Sequence, residues 1–289
     1  MINQYEDFMR YAKLTAYDQY GNTVYETDLG QRLRFEISKT VKSAPNHCTA
    51  VVYAIDQEEA SSVLTRASSI ILQAGENEDA GTIFRGSIVD GFYKNDENPH
   101  LQLSALDGDS FFNSYISLAI GKGETLRQLV LKSAAACSSP IAVGMVSASA
   151  DMIRLPRGCV LFGATTDVMD DVAKAINAAW FVNDERLYVL TETDMDIGMS
   201  FIVNVEDDLV SVPVHDAWSC AFSHRIDSRV ILGSTCSFDD PEAVIGTFRV
   251  VSVDIIGDTL EGDWRMNVWA LRQEQGSPAM TALTRNIWR

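Results

Sequence analysis

Two strand-forming runs, Val250-Val-Ser-Val-Asp-Ile-Ile256 and Trp264-Arg-Met-Asn-Val-Trp-Ala-Leu271, flank a polar turn from Gly257 to Gly262, and they restrict this chain more than any other stretch. Side chains alternate between the two faces of a strand. Val250, Ser252, Asp254 and Ile256 are therefore expected on one face of the first run, and Val251, Val253 and Ile255 on the other. In the return run Arg265, Asn267 and Trp269 alternate with Met266, Val268 and Ala270. Runs this apolar are tolerable where strands are buried on both sides. Trp264 and Trp269 are expected in the core as large anchors. Nothing in the stretch is suited to chemistry; its residues suit pairing and packing.

The same period recurs near the other end. Leu33, Phe35 and Ile37 alternate with Arg34 and Glu36, which predicts a strand with one buried face. A further strand is expected over residues 46–55 and a short helix over 56–67, with Asp56 as N-cap and Glu58 and Glu59 in the first turn, where the helix dipole favours acids. Strands follow at 70–72, 82–89 and 101–106, the last two joined by the polar turn 94–99.

The character changes near Ser110. Residues 123–136 read as a helix, with Leu126, Leu129, Val130 and Ala134 on one face. A second helix is expected over 167–180, where Val168, Val172, Ile176 and Trp180 recur at intervals of four and Thr165 or Thr166 can cap. A hairpin turning at Asn183-Asp184 completes an α/β unit. Beyond Met199, strands are expected at 201–205, 210–214 and 229–232, before the two of the long hairpin. The fold class is thus α+β and mostly β. A first β domain covers 1–113, an α/β domain 114–192, and a second β domain with a C-terminal tail 193–289. Each β domain has the strand pattern of a barrel or sandwich.

With 46% hydrophobic and 22% charged residues, the 289-residue chain is globular and large enough for two or three small domains. No apolar run approaches the ~20 residues that span a bilayer, so no membrane insertion is expected. The stretch Met1-Ile-Asn-Gln-Tyr-Glu-Asp7 lacks the basic and then apolar pattern of a signal peptide. Cys48, Cys137, Cys159, Cys220 and Cys236 form no CxxC pair, which fits buried thiols in a reducing compartment. The net charge of −17 opposes ordinary binding to nucleic acid, and no sequence-specific nucleic-acid binding is expected. Such a charge serves solubility. It also suits a surface that DNA passes without sticking, and Glu36, Asp90 and Asp254 lie on or beside predicted strands that could form one.

Motifs for chemistry fail on spacing. There is no GxSxG, and Ser110 follows Asp107-Gly-Asp109, which reads as a turn. His215 and Asp216 are adjacent and would point to opposite faces of a strand, a poor start for a dyad. His47, His100, His215 and His224 show neither HxH nor HExxH spacing. In Gly121-Lys-Gly-Glu-Thr125, a P-loop would need glycine at Ile116 and Ser or Thr at Gly123. Asp170-Asp171, Asp207-Asp208 and Asp239-Asp240 are neighbours expected in so acidic a chain. Asp194-Met-Asp196-Ile-Gly198 has two early acids of a calcium loop without its closing Glu. No catalytic, cofactor-binding or metal-binding residue is nominated, no cofactor is expected, and the chain reads as not an enzyme.

Three patches, in a shared order, give the chain a family likeness. The first is Leu33-Arg-Phe-Glu-Ile-Ser-Lys39 with Pro45-Asn46 and Val51-Val-Tyr53, continuing to Leu72-Gln-Ala-Gly75 and Ile83-Phe-Arg-Gly-Ser-Ile88. The second is Leu106-Asp-Gly-Asp109 followed by Gly121 to Leu131. The third is Gly246-Thr-Phe-Arg-Val-Val251 with Asp254, Gly257-Asp-Thr259 and Gly262-Asp-Trp264. Together they resemble the baseplate hub proteins of contractile-tailed bacteriophages. Two positions depart from that pattern: Glu76 replaces an aromatic and Ala54 stands where Asn is common.

The resemblance implies two tail-tube-like β domains with the α/β domain between them, and three chains in a ring. Three copies of two similar barrels make a pseudo-six-fold surface that joins a six-fold tube to a three-fold spike. It implies a structural virion component of the tail baseplate, assembled in the host cytoplasm and forming part of the DNA channel. The implied partners are two further copies, the central spike protein, the tail tube or distal tail protein, and the tape measure protein. Rival readings are the hub of a related contractile injection device, whose spike usually shares the chain, a tail-tube subunit, which needs one barrel only, and an acidic hydrolase with no recognisable motif.

Overall fold

The computed structural model describes residues 10–28, 30–76, 80–138, 140–191, 194, 200–240, 242 and 244–273. The first part of the chain forms β1 (Arg10–Tyr17), β2 (Thr23–Glu26), β3 (Leu33–Thr40), β4 (His47–Tyr53), α1 (Gln57–Arg66), β5 (Ser69–Glu76), β6 (Gly81–Lys94) and β7 (His100–Leu106). The middle forms α2 (Asp109–Phe112), β8 (Tyr115–Ile120), α3 (Leu126–Ala136), β9 (Ala142–Val146), α4 (Ser149–Met152), β10 (Cys159–Ala164), α5 (Thr165–Ile176), β11 (Ala178–Asn183) and β12 (Arg186–Thr191). The last part forms β13 (Ser200–Val203), β14 (Val214–His215), β15 (Ser219–His224), β16 (Thr235–Phe238), β17 (Phe248–Asp258) and β18 (Trp264–Arg272).

The fold is mostly β, as the periodicity predicts, and the two outer β segments share one sheet. Its path runs β14-β15-β18-β17-β3-β4-β7-β6-β5-β1-β2, with β16 and β13 branching from β17. The seam is β17 against β3, antiparallel from Ser252 opposite Thr40 to Asp258 opposite Arg34. Among the described residues the path ends at β14 and β2 and does not close on itself. One core underlies it, drawing Phe35, Leu72, Phe84 and Leu103 from the first segment and Phe222, Phe248, Ile255 and Met266 from the last. β3 shows why: Leu33, Phe35 and Ile37 are buried while Arg34, Glu36 and Ser38 are exposed. α1 starts where its cap places it, with the Asp56 carboxylate accepting from the Glu59 N–H at 2.7 Å.

Several expectations are corrected. In β17 the register shifts between Val250 and Ser252, so Val250, Val251, Val253 and Ile255 are all buried. An extra residue inserted in a strand reverses the side-chain parity beyond it. Trp269 is 37% exposed rather than in the core, because it lies in a row with Val214, Ala221 and Ser252 on the outer face. Trp264 is half-buried and meets Phe35 edge-on at 5.7 Å. Of residues 210–214 only Val214 enters a strand; Leu209 makes an isolated bridge to His224, and Pro213 has no N–H to continue a ladder between them. Residues 229–232 form turns, with the Val230 N–H donating to the Asp227 carbonyl and Ser234 to Ile231. The strand material there comes instead from β15 and β16, whose small polar residues hide their period.

The middle of the chain has its own core of Phe111, Ile116, Val130, Met169, Trp180 and Val189. It holds a three-stranded sheet, β11-β12-β9, and a two-stranded ribbon, β8-β10. α3 buries the expected Leu126, Leu129, Val130 and Ala134, and opens with a reciprocal cap between Thr125 and Gln128. α5 is shorter than its interval of four implies. Asn177 turns left-handed at φ +51° and ends it, so Trp180 lies in β11. Trp180 still returns to the helix, donating its indole N–H to Asp170 at 2.7 Å. Neither Thr165 nor Thr166 caps α5; the cap position is Ala164, and the Thr165 hydroxyl is buried 2.8 Å from that of Ser114. The β11–β12 turn falls one residue later than expected, on Asp184 and Glu185.

Candidate functional site

The quoted sequence patches become joints. Asp107 is fully buried at the end of β7. Its carboxylate accepts the N–H groups of Asp184 and Glu185, both at 2.7 Å, and the Asn46 amide at 3.2 Å. Asp184 and Glu185 have φ of +51° and +58°, the left-handed pair of a tight hairpin turn, without the usual glycine. Two N–H groups aimed into one carboxylate compensate for that backbone. Lys39, itself buried, reaches both Asp184 oxygens at 2.8 and 3.0 Å. Asn46 also donates to the Val182 carbonyl at 2.8 Å and accepts from the Thr40 N–H at 2.9 Å. Burial and the Asp184 charge push the Asp107 carboxyl up to about 6, against the pull of Lys39 and the N–H donors. Gly108 follows at φ +72°, where an added Cβ would lie 2.8 Å from Val182. Asp107 and Gly108 are therefore the clamp between the large sheet and the α/β unit, while Asp109 accepts from Asn113 within its own turn.

A second joint holds the hairpin tip. Asp258 accepts from Arg32 Nε at 3.2 Å and Nη2 at 2.8 Å, and from the Leu260 N–H at 3.0 Å. Burial opposes its charge, but Arg32 and the backbone donors outweigh that and hold its pKa below the usual carboxylate value. Thr259 Oγ1 accepts the Leu33 N–H at 2.9 Å. At Gly257 an added Cβ would stand 2.2 Å from the Phe35 ring. Gly-Asp-Thr thus locks the hairpin onto the start of β3.

The outer face of the sheet is the broad surface left open. Residues directly opposed across strands share a face. One row reads Ile256, Glu36, Thr49, Ser104, Asp90; the next holds Ser223, Asn267, Asp254, Ser38 and His47. Glu36, Asp90 and Asp254, whose faces were open from sequence, lie together on it. Glu36 pairs with Arg34 at 2.7 Å, and Asp254 accepts from the Ser38 hydroxyl at 2.7 Å. Arg34, Glu36, Thr49, Tyr53, His100 and Gln102 line a shallow open depression there. Of the ten residues in these two rows four carry hydroxyls, three are acids and one is an amide, with Arg34 beside them. The excess of acids lies elsewhere, at exposed Glu58 and Glu59 of α1 and at Glu206, Asp207, Asp239 and Asp240.

The other residues weighed for chemistry remain apart. His47 lies on the outer face, His100 beside Tyr53 at 5.6 Å, and His215 is exposed on β14. His224 is buried, with Nδ1 2.6 Å from the Arg225 carbonyl. Cys48, Cys137, Cys220 and Cys236 are buried and Cys159 is exposed. Gly121 begins the turn into α3, its N–H donating to Glu124 at 2.8 Å. The paired acids serve loops: Asp208 accepts from the Asn204 N–H, Asp239 from Val205 and Asp240 from Glu242. Asp194 accepts from the Thr191 N–H and hydroxyl, and the rest of the calcium-like run lies outside the described residues. Among the described residues no three His, Cys, Asp or Glu side chains gather to hold a metal, and no helix is long and apolar enough to cross a membrane.

The large sheet with its clamped α/β unit has the fold of phage tail proteins. A 43 kDa tail protein of prophage MuSo2 from Shewanella oneidensis superposes with a TM-score of 0.59, over 91% of this chain and 98% of that one, at 11% identity. A tail protein from Neisseria meningitidis gives 0.58 over 91% and 96%, at 10% identity. An E. coli component of the type VI secretion system, described as similar to the bacteriophage T4 tail proteins gp27 and gp5, gives 0.57 over 84% and 74%, at 10% identity. No protein-family profile and no curated protein sequence matches the chain.

Proposed function

We propose that the chain is a structural component of a phage tail: a trimeric baseplate hub that joins the six-fold tail tube to the three-fold central spike. The observation that carries this reading is the β17–β3 seam, which joins two β segments in one sheet. Two β lobes per chain, 1–113 and 193–289, give six lobes in a three-fold ring, as a six-to-three junction requires. The α/β unit, 114–192, sits clamped to them through Asp107 and Lys39. The outer sheet face, with its hydroxyls and the acids Glu36, Asp90 and Asp254, lines part of the DNA passage. The partners are the central spike, the tail tube or distal tail protein and the tape measure protein, and the ring resides in the virion baseplate. Scattered histidines and acids bound to loop backbone support a role without turnover or cofactor.

Native mass spectrometry and negative-stain imaging of the purified chain test this. A three-chain mass and rings as wide as a tail tube are expected; single chains in both free protein and isolated tails would refute it. A second reading, the hub of a related injection device, is favoured by the likeness to the type VI secretion component. It shares the ring and differs in location: peptides of the chain in purified virions support the phage reading.

A further inference from the structure

β8 and β10 form a ribbon with no further strand on either edge among the described residues. Ile116, Leu118 and Leu161 face inward onto the α/β core. The outer face carries Tyr115, Val160 and Phe162, 77%, 72% and 84% exposed, interspersed with Ser117, Ala119 and Ala164 and no charge. Two aromatics and a valine bared this far expose on the order of 300 Å² of contiguous apolar surface, the size at which patches mark contacts. At one end of the ribbon stand Lys122, Arg154 and Arg157, all exposed. Arg154 donates to the Gly123 carbonyl at 3.0 Å, which ties the two loops together, and nearby acids Asp151 and Glu124 are already paired with Arg127 and Lys132.

An apolar face rimmed by cations selects an acidic partner. A second copy of this chain, at −17, is one. It offers a matching surface where β13 and β16 end. Asp239 accepts from the Val205 N–H at 3.0 Å and so brings Asp239 and Asp240 beside Glu206 and Asp207, with Ile202 67% exposed on β13.

We propose that the ribbon of one copy seats on this acidic corner of the next. The inference rests on the ring reading above and names the contact that closes it. Two different surfaces that complement each other make a head-to-tail contact, which repeats round a ring where a two-fold contact would stop at a dimer.

The test is the mass of four variants beside wild type, by native mass spectrometry with circular dichroism as the folding check. Val160→Glu with Phe162→Glu is expected to run as a single chain with an unchanged spectrum, since both side chains point to solvent. Lys122→Glu with Arg157→Glu, and separately Asp239→Lys with Asp240→Lys, are each expected to weaken association about tenfold or more. The two reversals combined in one chain restore it. Labelling of wild type by N-ethylmaleimide gives a readout independent of any variant. Cys159, opposite Ile120 at the cationic end of the ribbon beside Arg157 and Lys122, is exposed in the single chain, and the seated acidic corner is expected to make it react about tenfold more slowly above the association midpoint than below it. A trimeric wild type whose ribbon variant stays trimeric, with Cys159 equally reactive at both concentrations, overturns the inference and leaves the ring standing. Reversals that each disrupt but do not restore one another overturn the choice of the acidic corner. A wild type of single-chain mass throughout overturns both readings.

Discussion

A carboxylate that accepts two backbone N–H groups from a left-handed turn cannot be removed without leaving both donors buried and unmatched. Asp107→Ala is expected to cost about 2–5 kcal/mol in urea unfolding at neutral pH. Its titration gives a second check. The folded pKa of about 6 lies above the ordinary carboxylate value of 3.8. Between them the folded chain keeps a proton that the unfolded chain has released, so this group's contribution falls as pH rises through that window. The stability of wild type minus that of Asp107→Asn should therefore drop by about 2–3 kcal/mol between pH ~4 and ~6.5. A difference that is flat with pH would show that Asp107 is not the titrating group. Ala54 is a smaller case at the same scale. Its φ is +54°, a conformation that costs an L-residue with a Cβ about 1–2 kcal/mol. Ala54→Gly is expected to raise stability by about 0.5–1 kcal/mol in the same assay.

At the scale of elements, the hairpin does pair and pack, but its placement depends on one glycine. Gly257 is where β17 crosses the fully buried Phe35 of β3. A methyl group there would overlap the ring, and neither the seam nor the core beneath can move aside without strain. Gly257→Ala is expected to cost about 1–3 kcal/mol or more in urea unfolding; an unchanged midpoint would mean the seam is loose. The elements read well from sequence are those whose signal is local: β3 by its alternation, α1 by Asp56, α3 by its apolar stripe. Val210, Val212 and Val214 alternate as well as β3 does, yet all three are at least half exposed. Alternation states that a segment could be half-buried; Pro213 and a place at the end of the sheet path, beside β15 alone, decide that this one is not.

At the scale of the molecule, the exposed acids of the described residues, Glu36, Asp90 and Asp254 apart, gather away from the outer sheet face. Arg34 neutralises Glu36 on the outer sheet face, and the acidic clusters lie off it. For the proposed passage, low adhesion to DNA is expected from pairs such as Arg34 with Glu36 more than from long-range repulsion, which salt limits to ~8 Å in any case. The wild-type assembly should not retain labelled duplex DNA in anisotropy titrations at low salt. Glu36→Lys, Asp90→Lys and Asp254→Lys together should create retention that weakens as salt rises. Strong retention by wild type would remove this face from the passage.

The sequence by itself determined the β-rich, α/β, β-rich order, the cap of α1, the apolar stripe of α3, the long hairpin and the poverty of catalytic spacing. Each of these is written within a few consecutive residues, as a period, a cap or a gap between motif members. Only the tertiary structure decided that both β segments share one sheet, that Asp107 serves a turn 77 residues away, that Ser38 meets Asp254 across 216, and that Val250 is buried together with Val251. Those outcomes depend on which strand lies beside which and on a single inserted residue in β17, and neither leaves a mark on the local pattern from which strands and helices are read.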